Sequence, residues 1–299
     1  MWILVAISSY FLLSVTAITD KFLLKGSMPS PKIYAFYSGF SGILILFLIP
    51  FGFYIPNFSG IILAVLAGLS QVLGIVVLYV GLKKFEASRI VSSIGGLSPI
   101  FTFLLTYIFS GFRVILPLSV YFALSLLAVG SFLISWAKNQ RITWQSLKIS
   151  AIAAFLFSLY LTLSKLVFLE QTFLNGLIWM RIGAFLSVLF FLFSKDVRQE
   201  IFHKREVFRL KTLSIFGLNS LAGAGAGIIQ SLAITMANIA YIPIIAALSG
   251  TQYVFLLFLS LVLSLKFPKI LKEEISRDTI IKKIIAILFI GGGLALLTF

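Results

Sequence analysis

Long apolar segments separated by short charged connections recur along the whole chain of 299 residues. Most are about 20 residues long, which a helix needs to cross a hydrocarbon core of roughly 30 Å. The pattern predicts an all-α integral membrane protein with ten transmembrane helices. The predicted spans cover residues 2–20, 33–53, 59–82, 88–109, 116–136, 147–168, 173–194, 211–235, 240–264 and 280–298.

Two of the predicted spans contain residues that weaken a helix near its middle. Span 4 reads ASRIVSSIGGLSPIFTFLL and includes Gly95, Gly96 and Pro99. Pro99 removes a backbone donor, and the glycines allow a neighbouring helix to approach closely. Span 9 has Gly250 at the corresponding place, with Pro243 about two turns earlier. We interpret these five residues as hinges at the level of the midplane.

The two halves of the chain resemble each other. FLLSVTAITDK (11–21) aligns with FLFSLYLTLSK (155–165), and KKFEASRIVSSIGGLSPIFTFLL pairs with ITMANIAYIPIIAALSGTQYVFLL at a constant offset of 151 residues. This divides the chain into two five-helix repeats, 1–140 and 141–299. A unit with an odd number of spans inserts in opposite senses when duplicated, and inverted repeats are characteristic of secondary transporters. The alternative is that apolar segments match by composition alone.

Composition and charge agree with a membrane location. The chain is 60% hydrophobic and 11% charged, whereas a soluble domain carries about 25% charged residues. The net charge of +15 is concentrated on one face, since 21 of the 24 Lys and Arg lie in or beside the connections after spans 1, 3, 5, 7 and 9. Such an imbalance is an orientation signal and not a nucleic-acid surface. It predicts that these connections are cytoplasmic and that both termini are outside.

The chemistry that the chain lacks narrows its function. The absence of cysteine excludes disulfides and thiolate catalysis. The single histidine, His203, lies in a charged stretch, and no HExxH or nucleotide-binding motif is present. We therefore expect no catalytic residue, no metal, no cofactor and no direct ATP drive. Asp20, Glu86 and Glu170 fall at the ends of spans, which favours a facilitator or exchanger over a carrier with an intramembrane proton site.

The first segment, MWILVAISSYFLLSVTAITDK, could be mistaken for a signal peptide, because VTA looks like a cleavage site. It lacks the basic residues with which signal peptides begin. We expect it to be retained as the first span.

Arg181 is the one charged residue well inside a predicted span, roughly 13 Å from the start of its helix. A charge at this depth marks a functional site by default, and the functional interpretation is an anchor for an anionic or carboxylate-bearing solute. The structural alternative is a side chain that extends to the interface or pairs with Glu170.

Further candidates are polar side chains within spans. Gln71 and Gln230 lie on stripes of small residues and serve either the solute or hydrogen bonds between helices. Tyrosine and tryptophan side chains could line a pocket for an organic solute, or could serve packing and interface anchoring. The remaining candidates are Tyr79, Tyr160, Trp179, Gln252 and Tyr253.

Three segments carry a family resemblance. They are YVGLKKFEASRIVSSIGGLSPIFTFLLTYIF (79–109), AITMANIAYIPIIAALSGTQYVFLLFLSLVLS (233–264) and the terminal KFPKILKEEISRDTIIKKIIAILFIGGGLALL. With them the chain resembles the EamA type of the drug/metabolite transporter (DMT) superfamily over almost its whole length. Two features depart from that family. Arg113 replaces a Glu that usually precedes span 5, and family members of this size are taken to have cytoplasmic termini, whereas the charges favour the reverse.

The resemblance implies a secondary transporter of small organic metabolites, such as amino acids, amines, nucleosides or drug-like solutes, that works by alternating access. An arginine is common in the second span of a repeat in this family, in agreement with Arg181. Flipping of a lipid-linked solute, as in some smaller relatives, is the alternative within the class. An intramembrane enzyme is the alternative outside it. The expected partners are the bilayer of the cell membrane and a small solute, with no nucleic acid, and the chain acts as a monomer or homodimer.

Overall fold

A computed structural model describes residues 1–25, 30–85, 87–112, 117–135, 143–193, 198, 210–266 and parts of 285–296. Over these ranges the chain is helical and contains no strand. The α-helices are α1 Trp2–Lys25, α2 Pro31–Ser41, α3 Phe58–Lys84, α4 Ala87–Phe109, α5 Leu118–Ser135, α6 Trp144–Glu170, α7 Phe173–Leu189, α8 Leu210–Met236 and α9 Ile242–Lys266. Three 3₁₀ segments lie beside them, at Gly42–Phe51, Phe190–Phe193 and Ile239–Tyr241.

Within the described ranges, seven helical segments are long and apolar enough to cross a membrane, and α4 and α5 contribute shorter apolar stretches. Large apolar side chains are exposed on the outside of the molecule, for example Phe47, Phe58 and Phe193, as expected for surfaces that face lipid. Over the described residues, an all-α fold with helices long and apolar enough to cross a membrane is therefore confirmed. The tenth predicted span is described only in pieces between residues 285 and 296, so the count of ten stays a prediction.

Local sequence explains where several helices begin. The side chains of Asn57 and Thr143 accept hydrogen bonds from the backbone N–H groups of Gly60 and Ser146, three residues further on. These caps satisfy amide groups that a helix start leaves without partners. Pro31 opens α2, where the absent N–H of proline costs nothing.

The helices pack around a core formed by α6 and α9. The helix α3 packs against α6 and α7, α1 packs against α8 and α9, and α4 packs against α5, α6 and α9. In the apolar windows of α6 and α9, 61% and 67% of the residues are buried, against 22% in the span that contains α2 and 17% in α8. The loosely covered elements are therefore α2 and α8.

Glycine allows a close contact between the backbones of α3 and α7. A Cβ atom on Gly183 would lie 2.6 Å from the Cα of Val65, and one on Gly68 would overlap the backbone of Met180 and Ala184. The two backbones touch without intervening side chains, as at other interfaces of small residues in membranes.

A buried lysine ties α6 to the end of α8. The Lys165 ammonium donates a hydrogen bond to the carbonyl oxygen of Thr235 at 3.2 Å, and the Lys165 side chain is only 5% exposed. Thr235 is in the last turn of α8, where carbonyl groups lack intrahelical donors and the helix dipole attracts a cation.

Candidate functional site

Arg181 lies where α3, α7, α8 and the end of α2 meet. Its Nη1 donates to the side-chain oxygen of Gln71 at 3.3 Å. A Cβ atom on Gly227 would lie 2.7 Å from Nη2, and one on Gly42 would lie 3.7 Å from the Arg181 Cδ. The two glycines therefore make room for the side chain. The structure brings together two of the predicted residues, Arg181 and Gln71, from opposite halves of the chain.

The environment of the guanidinium leaves its charge available to a ligand. Gln71 is a neutral partner, and Arg181 is half-buried and not sealed in the core. Glu170, the alternative partner of Arg181, lies beside Gly60 at the start of α3. One of its carboxylate oxygens is 3.4 Å from the position that a Cβ atom on Gly60 would take. Gly60 and Gln71 are 11 residues apart on α3, about 16 Å along the helix axis. Pairing of Arg181 with Glu170 is therefore not what the structure shows.

A second group of predicted residues surrounds Tyr10. Its hydroxyl donates to the carbonyl oxygen of Ile245 in α9 at 2.7 Å. Gln230 lies within hydrogen-bonding reach of this hydroxyl, and Tyr160 and Tyr253 are close enough to interact with it electrostatically. The three tyrosines are buried. Residues from α1, α6, α8 and α9 thus converge in one polar cluster.

Tyr253 also contacts the predicted hinge in α4. A Cβ atom on Gly95 would overlap the Tyr253 hydroxyl and ring, so any larger residue at this crossing of α4 and α9 would have to displace the Tyr253 side chain. Pro99 is within α4 and has no N–H for the carbonyl of Gly95. The point that lacks a helical hydrogen bond is therefore the point against which Tyr253 packs.

The other predicted hinge residues are also in helices. Gly96 is buried in α4, and Gly250 is buried in α9. Pro243 is in the first turn of α9, directly after a 3₁₀ turn, where proline is compatible with a helix. Their role in bending stays a prediction.

Tyr79 belongs to a third group, near the other end of α1. Its ring meets the ring of Tyr34 edge-on, with the centroids 4.8 Å apart. The Tyr34 hydroxyl donates to Oδ1 of Asp20 at 2.6 Å, and the Asn219 side-chain amide donates to the same oxygen at 2.6 Å. Tyr79 is a further hydrogen-bonding neighbour of this carboxylate. We call Asp20, Tyr34, Tyr79 and Asn219 the Asp20 cluster.

Two candidates are not brought to these groups. The indole N–H of Trp179 donates to the carbonyl of Tyr54 at 3.0 Å, and its ring stacks on Phe53. Trp179 thus holds the connection that precedes α3. Gln252 is half-buried beside Tyr253, and none of the contacts described above includes it.

One face of α8 passes all three groups. Asn219, Gly223, Gly227 and Gln230 follow one another at spacings of four, four and three residues, which keeps them on one side of a helix. Asn219 meets Asp20, Gly227 adjoins Arg181, and Gln230 meets Tyr10. The candidate site is therefore a polar column along α8, with Arg181 between the Asp20 cluster and the Tyr10 cluster.

Sequence reasoning missed four members of this column: Tyr10, Asp20, Tyr34 and Asn219. Asp20 was placed at a span end, but α1 continues to Lys25 and the apolar span to Leu24. The carboxylate therefore lies four residues, about 6 Å, inside the span.

Comparisons with known proteins give a fold and no family. No family model matches the chain, and no curated protein matches it. The chain is similar to a solved crystal structure, described only as that of a protein, with a TM-score of 0.68 and 17% sequence identity. The match covers 100% of this chain and 98% of the other. The likeness extends over the full length and concerns the fold alone.

Proposed function

We propose that the chain is a secondary transporter that moves a small organic solute by alternating access between two inverted five-helix repeats. The observation that carries this proposal is that two helix pairs pack differently, although the predicted repeat makes them equivalent. They are α3–α7 and α8–α2. The position of Arg181, between elements of both halves, adds support.

The packing of the central helices supports the repeat that the sequence predicts. If spans 1–5 correspond to spans 6–10, the pair α3–α6 corresponds to α8–α1, and α4–α6 corresponds to α9–α1. All four pairs pack closely. This shared pattern supports two structurally equivalent units. A chance similarity of apolar segments would give no reason for the same pairs to pack in both halves.

One equivalent pair differs. The helices α3 and α7 touch along their backbones at Gly68 and Gly183. Their counterparts, α8 and α2, meet through long side chains, with Phe216 and Asn219 of α8 reaching Tyr34 of α2. The main packing of α2 is on α3 and α7, where Ile33 and Phe36 join a small apolar cluster. A carrier closed on one side and open on the other requires this kind of difference.

Arg181 is the proposed anchor for the solute. The methylene groups of the side chain pass Gly42, and the guanidinium lies between Gln71 and Gly227. A planar fork of donors suits a carboxylate, which can accept two parallel hydrogen bonds. We infer that the solute carries a carboxylate or another anionic group and that Gln71 fixes the orientation of the fork.

Ligand-induced thermal stabilisation tests the anchor. Purified protein is screened against amino acids, organic acids, nucleosides and amines, and solutes that bear a carboxylate are expected to raise the melting temperature. Arg181→Gln should abolish this shift, and the exposed Arg198→Gln should retain it. Stabilisation that survives Arg181→Gln unchanged refutes the anchor. Uptake of the stabilising solute into reconstituted vesicles, without ATP, then tests transport itself.

The proposal includes a location and an orientation. The chain lies in the cell membrane as a multi-pass protein, with the basic connections after spans 1, 3, 5, 7 and 9 in the cytoplasm. It acts as a monomer or homodimer and performs no covalent chemistry on its solute. The hinges at Gly95, Gly96, Pro99, Pro243 and Gly250 let the two halves flex around Arg181.

A further inference from the structure

Side chains of the Asp20 cluster come from four helices, with Tyr79 contributed by α3, and meet at one place. Asp20 comes from α1, Tyr34 from α2 and Asn219 from α8, and the Asn219 amide also lies 3.2 Å from the Tyr34 hydroxyl. The rings of Tyr34 and Phe216 meet edge-on beside it, 5.4 Å apart. In the described contacts, this is where α2 and α8, which belong to the two least buried candidate spans, are held together. A single carboxylate oxygen is the centre of that junction.

The partners of the carboxylate are neutral donors. A hydroxyl and an amide donate to Oδ1, both at 2.6 Å. The distance from the Tyr34 hydroxyl is in the range of hydrogen bonds to an ionised carboxylate, and such bonds are roughly twice as strong as neutral ones. The charge is inside an apolar span, so it depends on these bonds for its stability. Binding of a proton would remove the charge and weaken both bonds.

The surroundings favour a proton over a metal ion as the bound cation. The Tyr34 hydroxyl and the Asn219 amide direct hydrogen atoms to Asp20. Hard metal ions such as Ca²⁺ and Mg²⁺ need a shell of oxygen lone pairs.

Other charged groups near the cluster are few in the described helices. The titratable side chains that face Asp20 are Tyr34 on α2 and Tyr79 on α3, whereas α8 presents Asn219 and Phe216. Lys21 follows Asp20 on α1. The remaining lysines described on the adjacent helices, Lys32, Lys83 and Lys84, have exposed side chains.

The cluster has no counterpart in the other half. At the offsets of the predicted repeat, 144 residues for the first spans and 151 for the third, Asp20, Tyr34 and Asn219 correspond to Ser164, Ile178 and Gly68. The equivalent position in the second repeat holds no carboxylate. One side of the molecule therefore has a polar junction where the other has direct backbone contact.

We propose that Asp20 is a proton-binding site and that the Asp20 cluster is a proton-controlled latch between α2 and α8. The ionised carboxylate holds α1, α2 and α8 together, and protonation releases α2 from α8. Only the role of this latch in coupling a proton to solute movement rests on the proposed transport function. The latch itself is a property of the protein without solute, and it closes at high pH and opens as the pH falls.

Electron spin resonance can measure the latch directly, because the chain contains no cysteine of its own. Spin labels are attached to Lys32→Cys on α2 and Leu218→Cys on α8, two exposed positions next to the cluster. Distances are measured in lipid nanodiscs between about pH 8 and about pH 4, the range in which carboxyl groups titrate. We expect the population of molecules with a second, longer distance between the labels to increase as the pH falls.

Variants assign the response to Asp20. Asp20→Asn imitates the neutral acid and should give the longer distance at every pH. Glu170→Gln removes an exposed carboxylate at the end of α6 and should leave the response unchanged. Tyr34→Phe removes one donor but keeps the carboxylate, so it should retain a pH response with a larger open population at high pH.

Infrared spectroscopy provides an independent readout. Protonation of Asp20 should produce a carboxylic-acid carbonyl band at low pH that is missing in Asp20→Asn and present in Glu170→Gln. A distance that does not change with pH, a response unchanged in Asp20→Asn, or a response to Na⁺ at constant pH would overturn the proposal. No solute enters these measurements, so a negative result leaves the transport proposal intact, and failed uptake leaves the latch intact.

Discussion

At the residue scale, the polar column depends on side chains that only the fold brings together. Asp20 and Asn219 are 199 residues apart in sequence, and their side chains are 2.6 Å apart. Arg181 and Gln71 meet across 110 residues. Glycine has an equal part in this arrangement, because Gly227 leaves space for the guanidinium and Gly95 for the Tyr253 ring.

Substitution of Gly95 tests the contact between α4 and α9. Gly95→Ala places a methyl group on the Tyr253 hydroxyl, and overpacking of this kind costs about 1–3 kcal/mol. We expect a lower midpoint of thermal unfolding in detergent. Tyr253→Phe removes the hydroxyl, so the double variant should lose less stability than the sum of the single variants. Additive losses would show that the two residues do not share a contact.

The sequence predicts individual residues unevenly. Arg181 was identified because a charge within an apolar run is conspicuous, and Gln71 because it interrupts a stripe of small residues. Tyr10 and Tyr34 could not be identified, since a tyrosine in an apolar helix looks the same whether it faces lipid, a neighbouring helix or a cavity. The sequence places Asp20 at the very end of span 1, whereas α1 continues to Lys25, because hydropathy does not define a helix end to within one turn.

At the element scale, apolar length and cap residues predict the helices, but the sequence of a single segment does not predict which other helix it packs against. The predicted spans coincide with α1 and α3–α9 to within about five residues, whereas α2 ends at Ser41, well before the end of the predicted span 33–53. The 3₁₀ segment Gly42–Phe51 was not foreseen, although it contains Pro50, which interrupts regular helical hydrogen bonding. Which helices touch depends on small residues at matching heights, as Gly68 and Gly183 show.

The backbone contact between α3 and α7 makes a prediction about stability. Gly183→Ala places a Cβ atom 2.6 Å from the backbone of Val65, and we expect a loss of about 1–3 kcal/mol or a fall in folded yield. Gly217→Ala in α8 is the matched control, because a Cβ there has no neighbour within 4 Å. It should be neutral or stabilising by about 0.5–1 kcal/mol. Equal effects at the two sites would contradict close packing of α3 and α7.

Pro99 makes a prediction about motion. Pro99→Ala restores a backbone N–H for the Gly95 carbonyl and stiffens α4. We expect a protein that folds with an unchanged or higher melting temperature and takes up its solute more slowly. Pro117→Ala, directly before α5, should not affect uptake. Uptake that is equally fast in Pro99→Ala would show that Pro99 serves helix packing and is not a hinge.

At the scale of the whole molecule, the loose coverage of α2 and α8 distinguishes one side of the helix assembly. Both helices are less buried than α6 and α9, and the Asp20 cluster is the polar contact between them. The sequence predicts two similar halves, but it cannot predict which of two equivalent pairs is closed. That depends on the relative free energies of two whole-molecule arrangements.

The distribution of basic residues makes a prediction about orientation. Lys195→Cys in the connection after span 7 should react with a membrane-impermeant maleimide in inside-out vesicles and not in intact cells. Arg113→Cys, in a connection on the opposite face, should show the reverse pattern. The opposite result for the pair would place both termini in the cytoplasm, as is usual for the family that the sequence resembles.

The bond from Lys165 to the Thr235 carbonyl gives α8 a fixed end. Thr235 and Asn219 are 16 residues apart, about 24 Å along the helix axis. α8 packs along α1 and is bonded to Lys165 of α6 at one end and to Asp20 at the other, so we expect it to pivot at Lys165 when the Asp20 bond is released. A rotation of about 10° about that pivot would displace Asn219 by about 4 Å, enough to separate it from Asp20. A rigid helix can thus convert a local change at one bond into a wide opening without unfolding.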